Sequence, residues 1–388
     1  MTSPSQAHFI QTQSGLDSLV GRMRAASRVA LDTEADSLHH YYEKVCLIQV
    51  GFDGTVAAVD PLAGLDLSRF LRVLADKPII VHGGDYDCRM LRRSFGFRPH
   101  RELFDTVLAA QLLGYTHYSL PALAARLVGV HLTKKGQKTD WARRPLTPAQ
   151  LTYALDDVRH LEVIADRLGQ ALDALDRSEW HRQACRQMVA ASESPARRTA
   201  AQRWRVKGIH GLTPRQLVFV RAIWLWRERE ARRVDRPAFK ILSVPALVDL
   251  AVWASDHPHS RLAEGPALPR SCRGHRCQSL QRAIEHARRL PPSRWPSPRK
   301  AQPRLEEDPS IRTVMHALRD GRDALAHAME LPPSILAPRA ALLAIARHRP
   351  VTKAELMACS SLLGWQAKLL KPVVEKALRD TLPRRPGA

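Results

Sequence analysis

The stretch "VALDTEADSLHHYYEKVCLIQVG" (29–51) opens with an apolar run that stops on two carboxylates, Asp32 and Glu34. In an extended strand, positions i and i+2 point to the same side, so these two acids stand next to each other. Bare carboxylates so placed repel unless a proton or a cation neutralises them. Further acids stand against apolar backgrounds in the same half of the chain. Asp87 follows "IIVHGG", and Asp157 lies four residues after Tyr153 in a helical pattern, where i and i+4 share a face. Four carboxylates and a phenol from three elements describe a site for two divalent ions roughly 3.5–4 Å apart, suited to in-line attack on a phosphodiester. Oxygen-only donors favour Mg²⁺ or Mn²⁺ over zinc.

The elements that must position these residues are legible in the pattern. Residues 28–34, 45–51 and 55–60 read as three consecutive strands, the last two joined by a hairpin at Asp53-Gly54. Helical and strand patterns then alternate. Residues 67–76 read as a helix, 78–83 as a short buried strand, 85–96 as a helix closing on Gly96, and 103–114 as a strand running into a helix. Residues 119–129 read as a further helix. Residues 147–175 read as one long amphipathic helix with Thr147 as N-cap and Pro148 in its first turn. An antiparallel meander followed by alternating helix and strand gives a mixed sheet flanked by helices.

Beyond residue 190 the chain changes character. The whole chain of 388 residues carries a formal charge of +22, yet residues 1–190 hold 23 Lys and Arg against 21 Asp and Glu. The remaining 37 basic and 17 acidic residues give the second part a balance of +20, the charge of something that meets a polyanion. The pattern there is helical. Trp224, Trp226 and Trp253 fall at core spacings, and the Arg-rich faces "REREARR" and "EHARR" are candidates for phosphate contact. No apolar run approaches the ~20 residues of a membrane span, and the start lacks the pattern of a signal peptide. Six scattered cysteines read as free thiols of a reducing compartment. Cys272, His275 and Cys277 match no zinc spacing.

The motifs "LDTEA", "VHGGDYDCRML", "FDT" and "KTDWARRPLTPAQLTYALDDV" resemble, in order, those of the ribonuclease D family, tyrosine-type members of the DEDD 3′→5′ exonucleases. "WRVKG" and "LVFVRAIWLWREREARRVDRPAF" resemble the helical HRDC domain, and "LRDGRDALAHAMELPPSILAPRAALLAIARHRPVT" resembles a second, more divergent copy. The resemblance implies a ribonuclease-H-like α/β exonuclease domain over 1–190, a linker or strap over 191–211 and an HRDC-like helical domain over 212–296. A linker over 297–307 and a second HRDC-like domain with a basic tail over 308–388 complete the expected organisation.

The resemblance also implies roles. Asp32 bridges two divalent ions, Mg²⁺ or Mn²⁺. Glu34 and Asp157 complete the ion that activates water, Asp87 supports the other ion, and Tyr153 orients the attacking water. The family's spacing from His82 selects Asp87 over Asp85, which reads as a helix N-cap. Its Tyr-to-Asp spacing selects Asp157 over Asp156. Asp105 and Asp140 are expected to hold backbone near the site, and Lys134, Lys135 and Lys138 to touch substrate phosphate. The expected protein is a cytoplasmic exoribonuclease releasing 5′-nucleotides from RNA 3′ ends, with tRNA precursors or other structured RNA as substrate and no membrane association. The alternatives are a 3′→5′ exonuclease on DNA and a non-catalytic nucleic-acid-binding protein. Protein partners are not legible.

Overall fold

Strands β2 (Val29–Ala35), β3 (Val45–Phe52) and β4 (Thr55–Val59) form the expected meander start. Asp53 and Gly54 both take positive φ, +46° and +73°, as a two-residue turn matched to strand twist requires. The antiparallel register sets Phe52 opposite Thr55 and Ile48 opposite Val59. Every residue of β3 is buried, so it lies in the middle of the sheet. In this computed structural model the described residues are 6–133, 136–193, 202–298 and 308–381.

With β1 (Gln6–Ile10), β5 (Ile79–Val81) and β6 (Leu103–Asp105), the sheet has six strands in the order β1-β4-β3-β2-β5-β6. β1 pairs parallel with β4, an edge strand that the sequence reading did not anticipate. β5 and β6 continue the sheet in parallel beyond β2. The strand bearing Asp32 and Glu34 therefore lies inside the sheet, beside β5.

The associated helices are α1 (Gln13–Ala25), α2 (Ser68–Ala75), α3 (Asp85–Phe95), α4 (Thr106–Leu112) and α5 (Leu120–Val128). They are followed by α6 (Pro148–Arg159), α7 (Leu161–Ala174) and α8 (Ser178–Glu193). α6 begins on a capping box, Thr147 with Gln150, and Pro148 sits in its first turn. The single helix expected over 147–175 is two helices. At His160 the backbone opens to φ −110°, ψ 0° while staying right-handed, and its carbonyl restarts the ladder by accepting from Ile164 N. The apolar period runs through the break, which is why the pattern does not reveal it.

Contacts divide the chain into two units that do not follow the linear boundaries expected from sequence. The first comprises the described residues of 6–34, 45–193 and 308–381; the second comprises 35–44 and 202–298.

After four helices of the second unit come the final ones, α13 (Pro309–Ala328), α14 (Pro333–Leu336), α15 (Arg339–His348), α16 (Lys353–Ser360) and α17 (Gly364–Thr381). They have a core of their own around Val314, Leu318, Ile345 and Leu370. They also complete the core around the sheet through Ala326, Leu331, Leu336 and Trp365. The Trp180 and Trp365 rings stack with centroids 4.4 Å apart. The Arg177 guanidinium donates to Leu112 O at 2.7 Å and Met329 O at 2.9 Å. Residues 308–381 thus have a core of their own and also share apolar surface with the sheet's helices.

The second unit holds α9 (Pro214–Arg233), α10 (Ala238–Ile241), α11 (Val244–Asp256) and α12 (His275–Arg288). Trp226 and Phe219 fill its core, and Trp224 and Trp253 pack against it. Trp204 is buried there too and residues 191–193 end α8, while residues 194–201 of the strap expected over 191–211 lie outside the described residues. Segment 35–44 belongs to this unit by its contacts. Asp235 accepts from Tyr41 N and Tyr42 N at 3.0 and 3.1 Å and pairs with His40 Nδ1 at 2.8 Å. No described helix is long and apolar enough to cross a membrane.

Candidate active site

β2 sets Asp32 and Glu34 on one side, and α6 supplies Asp157. One carboxylate oxygen from each of the three lies within 4.8 Å of the others, and all three residues are partly exposed. Among the described residues this is the one group of His, Cys, Asp or Glu side chains that could hold a metal ion.

Asp87 sits in the first turn of α3, where a helix N-terminus favours negative charge. Its Oδ1 accepts from both Thr33 N (3.1 Å) and Thr33 Oγ1 (2.5 Å), and the residue is 6% exposed. Thr33, the residue between the two strand acids, therefore fixes Asp87. Sequence reasoning missed this role, which joins residues 54 apart in the chain.

Tyr153 donates its hydroxyl to Asp157, as residues four apart on a helix can. Its ring lies under the loop that precedes α6. Gly136, at φ +134°, comes so close that a Cβ there would sit 3.0 Å from Tyr153 Cγ. The indole of buried Trp141 lies 6.1 Å from the same ring. Arg144 fastens this loop. Its guanidinium makes two 2.7 Å bonds to the Asp60 carboxylate and further bonds to Trp141 O (2.7 Å) and Cys46 O (2.8 Å). Sequence reasoning assigned no role to Gly136, Trp141 or Arg144, although all lie in or beside the quoted "KTDWARRPL" motif.

The remaining polar residues hold backbone. Asp105 accepts from Gly83 N, Gly84 N, Val107 N and Leu108 N, tying the turn before α3 to the start of α4. Asp140 accepts from Ala142 N. His82 shares a 2.9 Å hydrogen bond with Thr106 Oγ1. Asp85 pairs with Arg89, and Asp156 with Arg159, away from the cluster's own bonds. Lys138 is exposed; Lys134 and Lys135 lie outside the described residues.

Burial raises every acid of the site, and repulsion from neighbouring carboxylates adds to it at Asp32, Glu34 and Asp157. Asp32 is pushed well above the carboxylate range, first by burial and then by Asp87, Asp157 and Glu34. Burial, then Asp157 and Asp87, push Glu34 up to about 9. Asp157 rises to about 7 through burial, against the opposing Tyr153 hydrogen bond. Asp87 rises to about 6 through burial, against its bonds from Thr33. Burial, followed by the same acids, also holds the Tyr153 phenol protonated. These residues fit a divalent-cation site: the donors are hard oxygens, they converge, and the charges that Asp32 feels are those of other carboxylates.

The sign of the pH dependence follows. A carboxyl whose folded pKa is raised favours the folded state fully below its unfolded pKa, and that contribution is lost as pH rises through the folded value. The cation-free protein is therefore expected to lose melting temperature between about pH 4 and pH 9, the window set by Asp87, Asp157 and Glu34. Divalent ions should restore it, more at pH 8 than at pH 6, because binding must displace protons. Scanning calorimetry with chelator and with Mn²⁺ checks this; a Mn²⁺ shift equal at both pH values contradicts it.

A family description reading 3′-5′ exonuclease matches residues 7–173, and the HRDC domain family matches residues 312–370. The HRDC match falls on the copy that looked more divergent in sequence. The chain is 31% identical over 329 residues to ribonuclease D of Gluconacetobacter diazotrophicus, covering 82% of each protein. It is 28% identical to ribonuclease D of Pseudomonas paraeruginosa, covering 98% of this chain and 99% of that one. Among solved structures, Escherichia coli RNase D, described as an exoribonuclease involved in structured RNA processing, superposes with a TM-score of 0.71 at 24% identity. That superposition covers 97% of this chain and 99% of the other.

Proposed function

The chain belongs to the ribonuclease D family of 3′→5′ exoribonucleases, and from that premise we propose that it trims the 3′ ends of structured RNA, tRNA precursors among them, in the cytoplasm. It releases 5′-nucleotides at the cluster of Asp32, Glu34, Asp87, Tyr153 and Asp157. The observation that carries this reading is the convergence of three carboxylate oxygens within 4.8 Å beside a phenol bonded to one of them.

Asp32, Glu34 and Asp157 hold divalent cations of the Mg²⁺ or Mn²⁺ type, with Asp87 completing the set. Bound there, such cations would supply charge stabilisation to the attacking and leaving oxygens of the phosphodiester. Tyr153 supplies a hydroxyl at the cluster, kept protonated by its surroundings, that orients the attacking water. The Gly136–Trp141 loop presses on its ring and Arg144 anchors that loop, so the hydroxyl is held by packing. Lys138 steadies a substrate phosphate from the exposed surface of the same loop.

Two experiments test these assignments. Incubating a tRNA precursor carrying a short 3′ trailer with the protein and Mg²⁺ should shorten it to a stop near the acceptor stem. A precursor left at full length while an unstructured RNA is degraded would overturn the substrate assignment. Tyr153→Phe removes only the hydroxyl and is expected to lower kcat roughly 10–10³-fold, the range typical of acid–base and water-positioning groups, with Mn²⁺ affinity unchanged. Loss of Mn²⁺ binding in that variant would show instead that the tyrosine builds the cation site.

A further inference from the structure

The positive charge of the chain is concentrated in one place. Residues 194–301 hold 23 Lys and Arg against 7 Asp and Glu. Much of the arginine first suspected of phosphate contact is spent internally. Arg227 is 6% exposed and donates to Leu242 O. Arg232 donates to the Tyr41 hydroxyl, and Arg288 to the carbonyls of His257 and Ser260.

Four of the remaining arginines line one groove. α9 and α12 lie side by side, joined where Trp226 Nε1 donates to Ser279 Oγ at 2.8 Å. Between them run two hollows of about 740 and 250 Å³ that share Ala222, Leu225 and His286, and so form one continuous depression. From Val218 to Arg233 it follows α9 for about 22 Å, at 1.5 Å rise per residue. Arg221, Arg229 and Arg294 line one or other hollow, and Arg282 faces them from α12. All four are exposed, and among the described residues none has a carboxylate partner. The groove's one acid, Glu230, is neutralised by Arg233 and Arg276 at 2.9 and 3.3 Å. Leu225 stands 45% exposed between Arg221 and Arg229, four residues from each along the helix.

We propose that the α9–α12 groove binds the backbone of single-stranded RNA, its arginines taking successive phosphates while Leu225 and Ala222 meet ribose and base. The proposal rests on the exoribonuclease reading for its choice of polyanion. Unpaired arginines on both walls of a long depression repel one another and are relieved by a line of negative charges. An apolar floor suits an occupant with hydrophobic faces between its charges, and single-stranded nucleic acid supplies both.

The test uses the full-length protein, with chelator present so that RNA stays intact. Arg221→Glu, Arg229→Glu and Arg282→Glu combined should weaken binding of a labelled oligoribonucleotide by about tenfold or more. The slope of log affinity against log salt should become shallower by about 2, near 0.7 for each lost phosphate contact. Arg261→Glu, Arg270→Glu and Arg273→Glu combined, the same charge change on exposed arginines outside the groove, should do far less. Equal weakening by both sets would reduce the effect to diffuse charge and overturn the proposal. Full RNA affinity in the groove variant, or loss only of polyglutamate binding, would also overturn it, the latter assigning the groove to an acidic protein. If the Glu set fails to fold, the Arg→Gln set and photo-crosslinking of 4-thiouridine RNA to the unaltered protein decide. Crosslinks must fall on α9 and α12, and crosslinks confined elsewhere refute the groove. Failure of the exoribonuclease reading is separately visible as absence of nucleotide release by the unaltered protein with Mg²⁺.

Discussion

Asp157→Asn is expected to lower the turnover of RNA by at least ~10³-fold, and Asp32→Asn by as much, while RNA affinity stays within a fewfold. The substitution preserves shape and removes one negative charge from the proposed cation site. A loss of that size corresponds to about 4 kcal/mol of transition-state stabilisation, within reach of one group in a preorganised site. A second signature separates this from simple damage. In the cation-free protein Asp157 carries a pKa near 7, raised by burial and opposed by the Tyr153 hydrogen bond. An amide there relieves repulsion, so Asp157→Asn should melt higher than the unaltered protein at pH 8 in chelator, and gain less from Mn²⁺. A variant that digests RNA at near the original rate would remove Asp157 from the mechanism.

Trp365→Ala should cost about 3–5 kcal/mol, as large-to-small changes of buried aromatics do. Trp365 is 5% exposed, stacks on Trp180 and receives support from α8, where Gln183 Oε1 accepts from its backbone N at 3.3 Å. Its removal opens a cavity in the core shared by the sheet's helices and the last helical block. Denaturant unfolding should therefore show a lower midpoint for the whole first unit, with amides of α7 and α8 losing exchange protection together with those of α17. Destabilisation confined to residues 308–381 would mean that this block folds on its own and merely leans on its neighbour.

The chemistry was more legible in the sequence than the packing. Asp32 and Glu34 are read from strand alternation, Tyr153 and Asp157 from helical spacing, and the hairpin from Asp53-Gly54. All are local relations that a few residues determine. Choosing Asp87 over Asp85 needed the family resemblance, since both fall in the first turn of α3. Features joining distant residues left no local trace. Arg144 meets Asp60 across 84 positions and Thr33 meets Asp87 across 54. Segment 35–44 looks like a loop of the first domain, yet its tyrosines are held by Asp235 some 190 residues on. β1 is a five-residue edge strand, too short for alternation to declare itself. The sharing of core by residues 308–381 was hidden because an amphipathic helix does not disclose which surface covers it.

We propose that this acid cluster hydrolyses RNA from its 3′ end. Single-turnover digestion of one RNA labelled in parallel at its 5′ end and in its 3′-terminal nucleotide tests it most directly, with Mg²⁺, with chelator, and with Asp157→Asn. The expected result is immediate release of the 3′ label as a 5′-mononucleotide and a ladder of 5′-labelled products shortening one residue at a time. Both should be abolished by chelator and by the substitution. Internal cuts, release of 3′-mononucleotides, or digestion that persists in chelator would contradict the account.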